Sequence, residues 1–404
     1  MNTLQKLPRV LEKIVELHHS CPVCNSKQGA VLGVLKYALF DHSTLADCYD
    51  VVCCVDCGFV AVNTPSQQSD YDEFYNESFY SPEYLSRQLS KAEREYFEQT
   101  VYILSAIYPR KDVALFDIGC GAGCLIDALQ NSGFSNVHGV DPSSSCVKLL
   151  KERKNIRCEK GSLTLIPFHG QDMELLVLSH IIEHVVDLES ALKNIIVRLS
   201  ENGKVFVEVP DAARYDKFAK NKPLSFFYFQ HIVHFDMVHL RNLFVANGFK
   251  EVKKGCRTRE EKGFTMPCVW AVFQKDESKK REFHPDFSLA LKIKHWFENS
   301  SLDPLGTLAH IAEQKTAVYV WGIGIHAQMM LRMSVLSNCN IKALVDKNEQ
   351  LHGVSIGGQQ ILSVDVLKDA GNDEVVVITS LIHSESMLKY LKEDIGFKGK
   401  IVTI

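Results

Sequence analysis

The sequence predicts an α/β protein built around a doubly wound, mostly parallel sheet, with a small metal-stabilised module before it and a second, smaller α/β unit after it. Three observations carry this. An apolar run from Val113 to Ile118 contains Asp117, and Gly119, Gly121 and Gly123 then alternate before Cys124–Leu129 opens a helical pattern. Upstream stand two Cys-x-x-Cys pairs, Cys21/Cys24 and Cys54/Cys57. A second strand, glycine turn and helix, Ala317 to Ala327, lies near the end of the chain.

Strand, glycine-rich turn and helix are how a doubly wound sheet meets a nucleotide-like ligand. A Cβ on those glycines would hold the backbone away from the ligand. The spacing Gly-x-Gly-x-Gly differs from the dinucleotide fingerprint and resembles motif I of the class I S-adenosylmethionine (SAM) methyltransferases. The next strand supports this reading, because Asn136–Val140 ends in Asp141-Pro142, with Asp141 lying 24 residues after Asp117. An acid at that strand tip accepts both ribose hydroxyls, and one βαβ unit accounts for the separation.

At 404 residues the chain is long enough for two or three domains. The net charge of −4 provides no basic field for a nucleic-acid substrate. No apolar run reaches the roughly 20 residues of a membrane span and no signal-peptide pattern opens the chain, so a cytoplasmic location is expected. Thirteen cysteines, several in ligand-like pairs, suit a reducing compartment and a metal better than a disulfide framework.

After a short amphipathic start (Leu4 to Leu17), Cys21, Cys24, Cys54 and Cys57 form two knuckles that set four thiolates for a tetrahedron, the closed arrangement of structural zinc. Cys48 and Cys53 are nearby, but only Cys54 keeps the two-residue gap to Cys57. Gly58 suits a turn that aims amides at the sulfurs. A ribbon this small lacks a sufficient core, so the metal would supply folding energy. A Tyr-rich bridge follows, containing Tyr71, Tyr75, Tyr80 and Tyr84, and residues 85–107 read as a helix.

Past Asp141, α/β alternation continues. Gly161 and Ser162 stand where methyltransferases of this class contact adenine. Glu174–Ser179 is a buried strand leading into His180, and His184 soon follows. Asn202-Gly203 reads as a turn before a strand over Lys204–Pro210. Ligand groups in such sheets gather at the strands' carboxyl ends, which sets Ser179, His180, His184 and Glu208 at one mouth with Asp117 and Asp141. An insertion, Phe226 to Asp236, surrounds His231 and His234 with aromatics, and with His180 and His184 it forms the candidate substrate pocket. Strands near 249–252 and 268–273 finish the sheet, and a charged, then helical, connector follows. In the tail, Gly322 and Gly324 precede a strand ending at Asp346, a reduced dinucleotide fingerprint. About ninety residues is short for a full dinucleotide domain, so a Rossmann-like scaffold without NAD, holding part of the substrate, is expected.

The expected layout is therefore a zinc-binding domain over 1–70, a Tyr-rich helical bridge over 71–110 and a methyltransferase domain over 111–274. A helical connector over 275–315 and a Rossmann-like domain over 316–404 complete it.

This order resembles the sugar C-methyltransferase family, which methylates C3 of nucleotide-linked 4-keto-6-deoxy sugars in making branched sugars such as tetronitrose. The resemblance spans nearly the whole chain. The family's Tyr-x-Glu-His run matches Tyr228–Phe229–Gln230–His231, its histidine after the fourth strand matches His184, and its bridge tyrosine matches Tyr80 or Tyr75. It implies SAM and structural zinc as cofactors and a dTDP- or GDP-linked sugar as substrate. His231 would act as general base at a C3 proton acidified by the C4 ketone, with Tyr228, His184 and the bridge tyrosine donating to the enolate oxygen. Gln230 stands where the family has glutamate, so a carboxylate beside the base is missing. That leaves room for an O-methyltransferase acting on a sugar hydroxyl or cell-surface glycan precursor, since many SAM enzymes share this core. A non-catalytic scaffold is opposed by Asp117, the three glycines and Asp141, all intact.

Overall fold

The computed structural model describes residues 7–76, 88–152, 156–219, 224–261, 264–276, 282–303 and 305–404. The first sheet is antiparallel, with β1 (Ile14–Glu16), β2 (Gln28–Lys36), β3 (Cys48–Cys54) and β4 (Val60–Asn63) in order. Its fifth strand, Val233–His234, comes from the distant insertion and pairs antiparallel with β4, Val233 opposite Ala61. Insertion and N-terminal sheet are thus one structural unit. Further ties reinforce it, since the Tyr37 hydroxyl donates to Phe227 O at 2.7 Å and Val62 N to Ile232 O at 2.8 Å.

Helices α1 (Gln68–Asn76) and α2 (Lys91–Ile107) bridge to the central sheet. Of the expected helix over 85–107, residues 85–87 lie outside the described residues, and 88–90 precede the helix that starts at Lys91. Ser90 caps it, and Glu93 returns a bond to the Ser90 amide, so the first turn is satisfied there.

The central sheet holds β5 (Leu115–Ile118), β6 (Val137–Asp141), β7 (Arg157–Lys160), β8 (Met173–Ser179) and β9 (Leu199–Pro210). With Val233–His234 counted as β10, it is completed by β11 (Phe249–Glu261) and β12 (Phe264–Lys275), in the order β11-β12-β9-β8-β5-β6-β7. β12 runs antiparallel to β9 and β11, while the β9-to-β7 half is parallel. The chain leaves β5 first toward β6 and later returns to β8 on its other side. This is the topological switch point where such sheets bind ligands. The turn expected at Asn202-Gly203 is instead continuous strand. The register to β8 shifts between Met173/Leu199 and Leu175/Lys204, so a bulge absorbs the intervening residues. The strands expected near 249–252 and 268–273 are one long hairpin.

The tail forms a sheet in the order β15-β16-β14-β13-β17-β18, from β13 (Ala317–Trp321), β14 (Asn340–Asp346), β15 (Ser355–Ile356), β16 (Gln359–Ser363), β17 (Val375–Ile378) and β18 (Lys400–Thr403). Apart from the β15–β16 hairpin it is parallel. The fold class expected from the sequence, α/β with a Rossmann-like methyltransferase sheet, is the one found.

One face of the central sheet, the insertion's aromatics and the N-terminal sheet share a continuous apolar core that includes Phe116, Leu178, Tyr215, Phe226, Phe235 and Val51. The other face packs against α2, α3 (Cys124–Asn131) and α4 (Ser144–Glu152). Among the described residues no helix is long and apolar enough to cross a membrane.

Candidate active site

The glycine turn sits at the carboxyl end of β5. Gly119, Gly121 and Gly123 have φ of 75°, 51° and 79°, left-handed values that favour glycine. A Cβ on Gly119 would lie 2.0 Å from Ile181 Cδ1, so side-chain space is also closed there. Asp141 ends β6 beside this turn, accepting from Gly121 N at 2.8 Å and Ser143 N at 2.9 Å. Pro142 follows it. Gly161 N bonds the Asp141 carbonyl at 3.1 Å, and Ser162 N reaches Leu165 O at 3.2 Å, bringing that short loop to the same rim. Asp117 is 4% exposed, and burial, aided by the Asp141 carboxylate, lifts its pKa to about 8. These groups fit SAM. A close-approach turn accommodates the ligand, and the acid at the second strand tip has acceptor capacity for ribose hydroxyls.

Beyond Ser179, which ends β8 opposite Glu208, the chain turns through His180 with φ 57°. His180 sits between two carboxylates, with Nδ1 3.3 Å from Glu183 Oε1 and Nε2 3.4 Å from Glu208 Oε1. The Tyr96 hydroxyl from α2 donates to Glu208 and lies 3.1 Å from His180 Nε2. Arg257 from β11 donates to Glu208 Oε2 at 2.6 Å and to Thr100 Oγ1 at 2.7 Å. Burial opposes the charge on both groups. Around His180, Tyr96, Cys268 and Glu183 outweigh it and hold the imidazole well above its usual value. Bonds from His180 and the charge of Arg257 hold Glu208 below its own. His180 is thus built into a buried ion network, with its Nε2 committed to Tyr96 and Glu208.

The other two expected histidines meet. The rings of His184 and His231 lie 4.9 Å apart at 66°, and Tyr228 stands 5.0 Å from His231. His184 Nδ1 donates to Gln230 O at 2.8 Å, with the Tyr75 hydroxyl 3.1 Å from the same nitrogen. His231 Nδ1 donates to Phe226 O at 3.2 Å. Burial lowers the pKa of both, His231 well below the usual value, so both imidazoles are neutral. His234, expected in the same cluster, instead packs among Phe227 and Tyr215, fully buried. Its neighbour Val233 is committed to pairing with β4, which turns this part of the insertion into the core. Of the two bridge tyrosines, Tyr75 is the one seen at the site, while Tyr80 lies outside the described residues. Gln230 contributes its carbonyl to His184, and the residue lines a cavity toward the tail with Phe74, Phe229 and Ile325.

The carboxylate nearest these imidazoles is Glu183, 3.9 Å from His184 Nε2. It escaped the sequence reading, as did Tyr96 and Arg257. The signal for Glu183 was present, an acid between two histidines at i+3 and i+4 directly after a buried strand. Nothing local in the sequence announces Tyr96 or Arg257, which arrive from another helix and another strand.

In the N-terminal sheet, Cys21, Cys24, Cys54 and Cys57 offer four sulfurs all within 4.8 Å of one another. Cys21 Sγ lies 3.5 Å from Cys57 Sγ, and Cys24 Sγ 3.4 Å from Cys54 Sγ. A tetrahedron of Zn–S bonds of about 2.3 Å has edges of about 3.8 Å, so the four fit one zinc ion. Cys53, the next residue along β3, is buried in the core on the opposite face. Gly58, with φ 81°, donates to the Cys54 carbonyl rather than to a sulfur, and a Cβ there would strike Asp286 O at 1.8 Å. Its glycine is thus explained by packing against the connector.

A family described as "Methyltransferase domain" matches residues 78–254. Among curated proteins, the chain is similar to the ubiquinone/menaquinone biosynthesis C-methyltransferase UbiE of Campylobacter jejuni, 30% identical over 109 residues, which is 25% of this chain and 46% of that one. It is also similar to the ubiquinone biosynthesis O-methyltransferase of Coxiella burnetii, 27% identical over 117 residues, 28% of this chain and 47% of the other. The chain spans about half the length of the curated relatives it matches. Among solved structures, a Burkholderia thailandensis 1,6-didemethyltoxoflavin-N1-methyltransferase with bound S-adenosylhomocysteine covers 54% of this chain and 95% of its own, at 16% identity and a TM-score of 0.41. The glycine turn, the acid at the tip of β6 and the matched family agree, and the central part of this chain is a class I SAM-dependent methyltransferase domain.

Proposed function

We propose that this protein methylates C3 of a nucleotide-linked 4-keto-6-deoxy sugar through an enolate, in making a branched deoxysugar. The observation that carries this is the position of Tyr228. Its ring stands 5.0 Å from His231, and it also lines a crevice of about 630 Å³ with Gly322, Gly324, Asp346 and Thr379 at the carboxyl ends of the tail sheet. One aromatic thus joins the imidazole pair to a nucleotide-sized crevice at a second switch point, which suits an acceptor with a sugar end and a nucleotide end.

SAM, when bound, supplies a methyl group already activated by its sulfonium. The chain's own residues have the remaining tasks. Asp141 accepts ribose hydroxyls, and the glycine turn lets the backbone approach. His231, with Nδ1–H donated to Phe226 O, presents a neutral Nε2 lone pair for the C3 proton. Tyr228 and Tyr75 are the hydroxyls that would donate to the enolate oxygen, because neutral His184 has already given its Nδ1 hydrogen to Gln230 O. The carboxylate missing at Gln230 has a counterpart in Glu183. We also infer that the four cysteines hold a structural zinc, and that the five segments expected from the sequence are the chain's working units.

A second reading, O-methylation of a sugar hydroxyl or glycan precursor, is supported by Gln230 in place of glutamate. C- and O-methyltransferases both occur among the curated relatives. The test is turnover of SAM with dTDP- and GDP-linked 4-keto-6-deoxy sugars in deuterium oxide, read by mass. Methyl gain with solvent deuterium entering C3 is expected. SAM binding without reaction on any ketosugar would transfer the assignment to the O-methyltransferase.

A further inference from the structure

We propose that the crevice of the tail sheet binds a ribonucleoside diphosphate, with Asp346 accepting its 2′-hydroxyl, so that the acceptor's carrier is a ribonucleotide and not a 2′-deoxyribonucleotide. Asp346 ends β14 as Asp141 ends β6, and the two carboxylates are held alike. Asp141 Oδ2 accepts from Gly121 N at 2.8 Å and its Oδ1 from Ser143 N at 2.9 Å. Asp346 Oδ2 accepts from Ile323 N, in the tail's glycine turn, at 2.7 Å, and its Oδ1 from Asn348 N at 2.9 Å. The turns agree as well. Gly119 N donates to Val140 O at 2.7 Å and Gly322 N to Val345 O at 3.1 Å, both glycines with left-handed φ, 75° and 97°.

Asp346 is half-buried and lines the crevice of about 630 Å³ that Tyr228 also lines. Each of its oxygens takes one of these backbone amides, and a carboxylate oxygen has two lone pairs. One acceptor place on each oxygen therefore remains for the vicinal 2′- and 3′-hydroxyls of a ribose. A 2′-deoxyribose brings only one of those hydroxyls. The diphosphate has a place beside the ribose. Gly324, in the same crevice, opens the helix Ile325–Met333 with no side chain capping its first turn. A Cβ built on Gly324 would meet nothing within 4 Å, so the positive end of this helix faces open space suited to an anion. Lys347, exposed and next to Asp346 in the crevice wall, adds a cation.

This rests on the reading that the acceptor is a nucleotide-linked sugar, and it names the carrier's class. The nucleoside and diphosphate occupy the tail crevice, and Tyr228 leads from it to His231, 5.0 Å from its ring. The imidazole pair is left to the sugar, with the His231 lone pair still available to the C3 proton.

The experiment is calorimetric titration of the full-length protein with GDP, UDP and CDP, each set against its 2′-deoxy counterpart, with dTDP and NAD alongside. At least one ribonucleoside diphosphate is expected to bind about tenfold or more tightly than its 2′-deoxy form. In Asp346→Ala, and in the conservative Asp346→Asn, that ratio should fall toward one while SAM affinity stays native. The native ratio needs no variant, so it decides even where a substitution prevents folding. Equal affinities for ribose and deoxyribose forms, no binding of any ribonucleoside diphosphate, or tighter binding of NAD than of all of them overturns the proposal. A ribose preference lost in the variants, with no ketosugar methylated by the native protein, keeps the site and sinks the sugar reading. Methylation of dTDP-linked ketosugars as efficiently as of GDP-linked ones does the reverse.

Discussion

Arg257 Nε lies 2.6 Å from Glu208 Oε2, although the two residues are 49 positions apart and sit on strands separated by β12. The guanidinium also stacks over the Tyr96 ring, 4.0 Å from its centre. Glu208 is fully buried, so this ion pair keeps a charge beneath the candidate active site. Removing one partner of such a pair costs more than the pair contributes, because the other charge stays desolvated. Arg257→Ala is therefore expected to destabilise by about 3–5 kcal/mol in urea unfolding. A loss under about 1 kcal/mol would mean that Glu208 takes up a proton or reaches water instead.

SAM binding should depend on the rim of β5 and β6. Asp141→Ala removes an acceptor from the ligand and from the Gly121 and Ser143 amides. Charged hydrogen bonds contribute about 1.5–3 kcal/mol each, so calorimetry should record an affinity loss of about tenfold or more. Gly119→Ala meets Ile181 and a left-handed φ together, and should weaken SAM similarly. Unaltered SAM affinity in both variants would place the ligand elsewhere.

His231→Ala should lower turnover by about 10²- to 10⁴-fold while leaving SAM affinity near native. Because burial keeps His231 neutral, the acidic limb of the native rate profile should fall well below pH 6.5. A limb at or above that value would point to a different titrating group.

The buried histidines should make stability depend on pH in mild acid. His234 is fully buried, and desolvation lowers its pKa from 6.5 to about 3. Between those values the unfolded chain binds a proton that the folded chain refuses. The contribution of His234 is therefore full above 6.5 and is lost at about 1.4 kcal/mol per pH unit as pH falls through this window, while Asp117, raised to about 8, works in the opposite direction. His184 and His231, also depressed by burial, add to the slope. His234→Phe should flatten the dependence of Tm on pH between about 6.5 and 4.5. An unchanged slope would exclude His234 as a source.

Cys54→Ser should lose zinc and soluble expression together, because one thiolate of the tetrahedron is removed from a sheet that also receives the strand carrying His234. A folded variant without zinc would refute a structural metal.

Local pattern was enough, in the sequence, for everything that depends on near neighbours. Asp117, the three glycines and Asp141 lie within one βαβ unit, whose period and turn chemistry are written in consecutive residues. The Cys-x-x-Cys knuckles, the α/β alternation and the tail's glycine turn were legible for the same reason. Tertiary structure decided the rest, because burial and pairing across distance leave no periodic trace. It sent Val233 to β4 and His234 into the core, and brought Tyr75 rather than a sequence neighbour to His184. It assembled Tyr96, Glu208 and Arg257 from a helix and two strands. It also left Glu183 buried beside two imidazoles, where low dielectric makes a single carboxylate consequential.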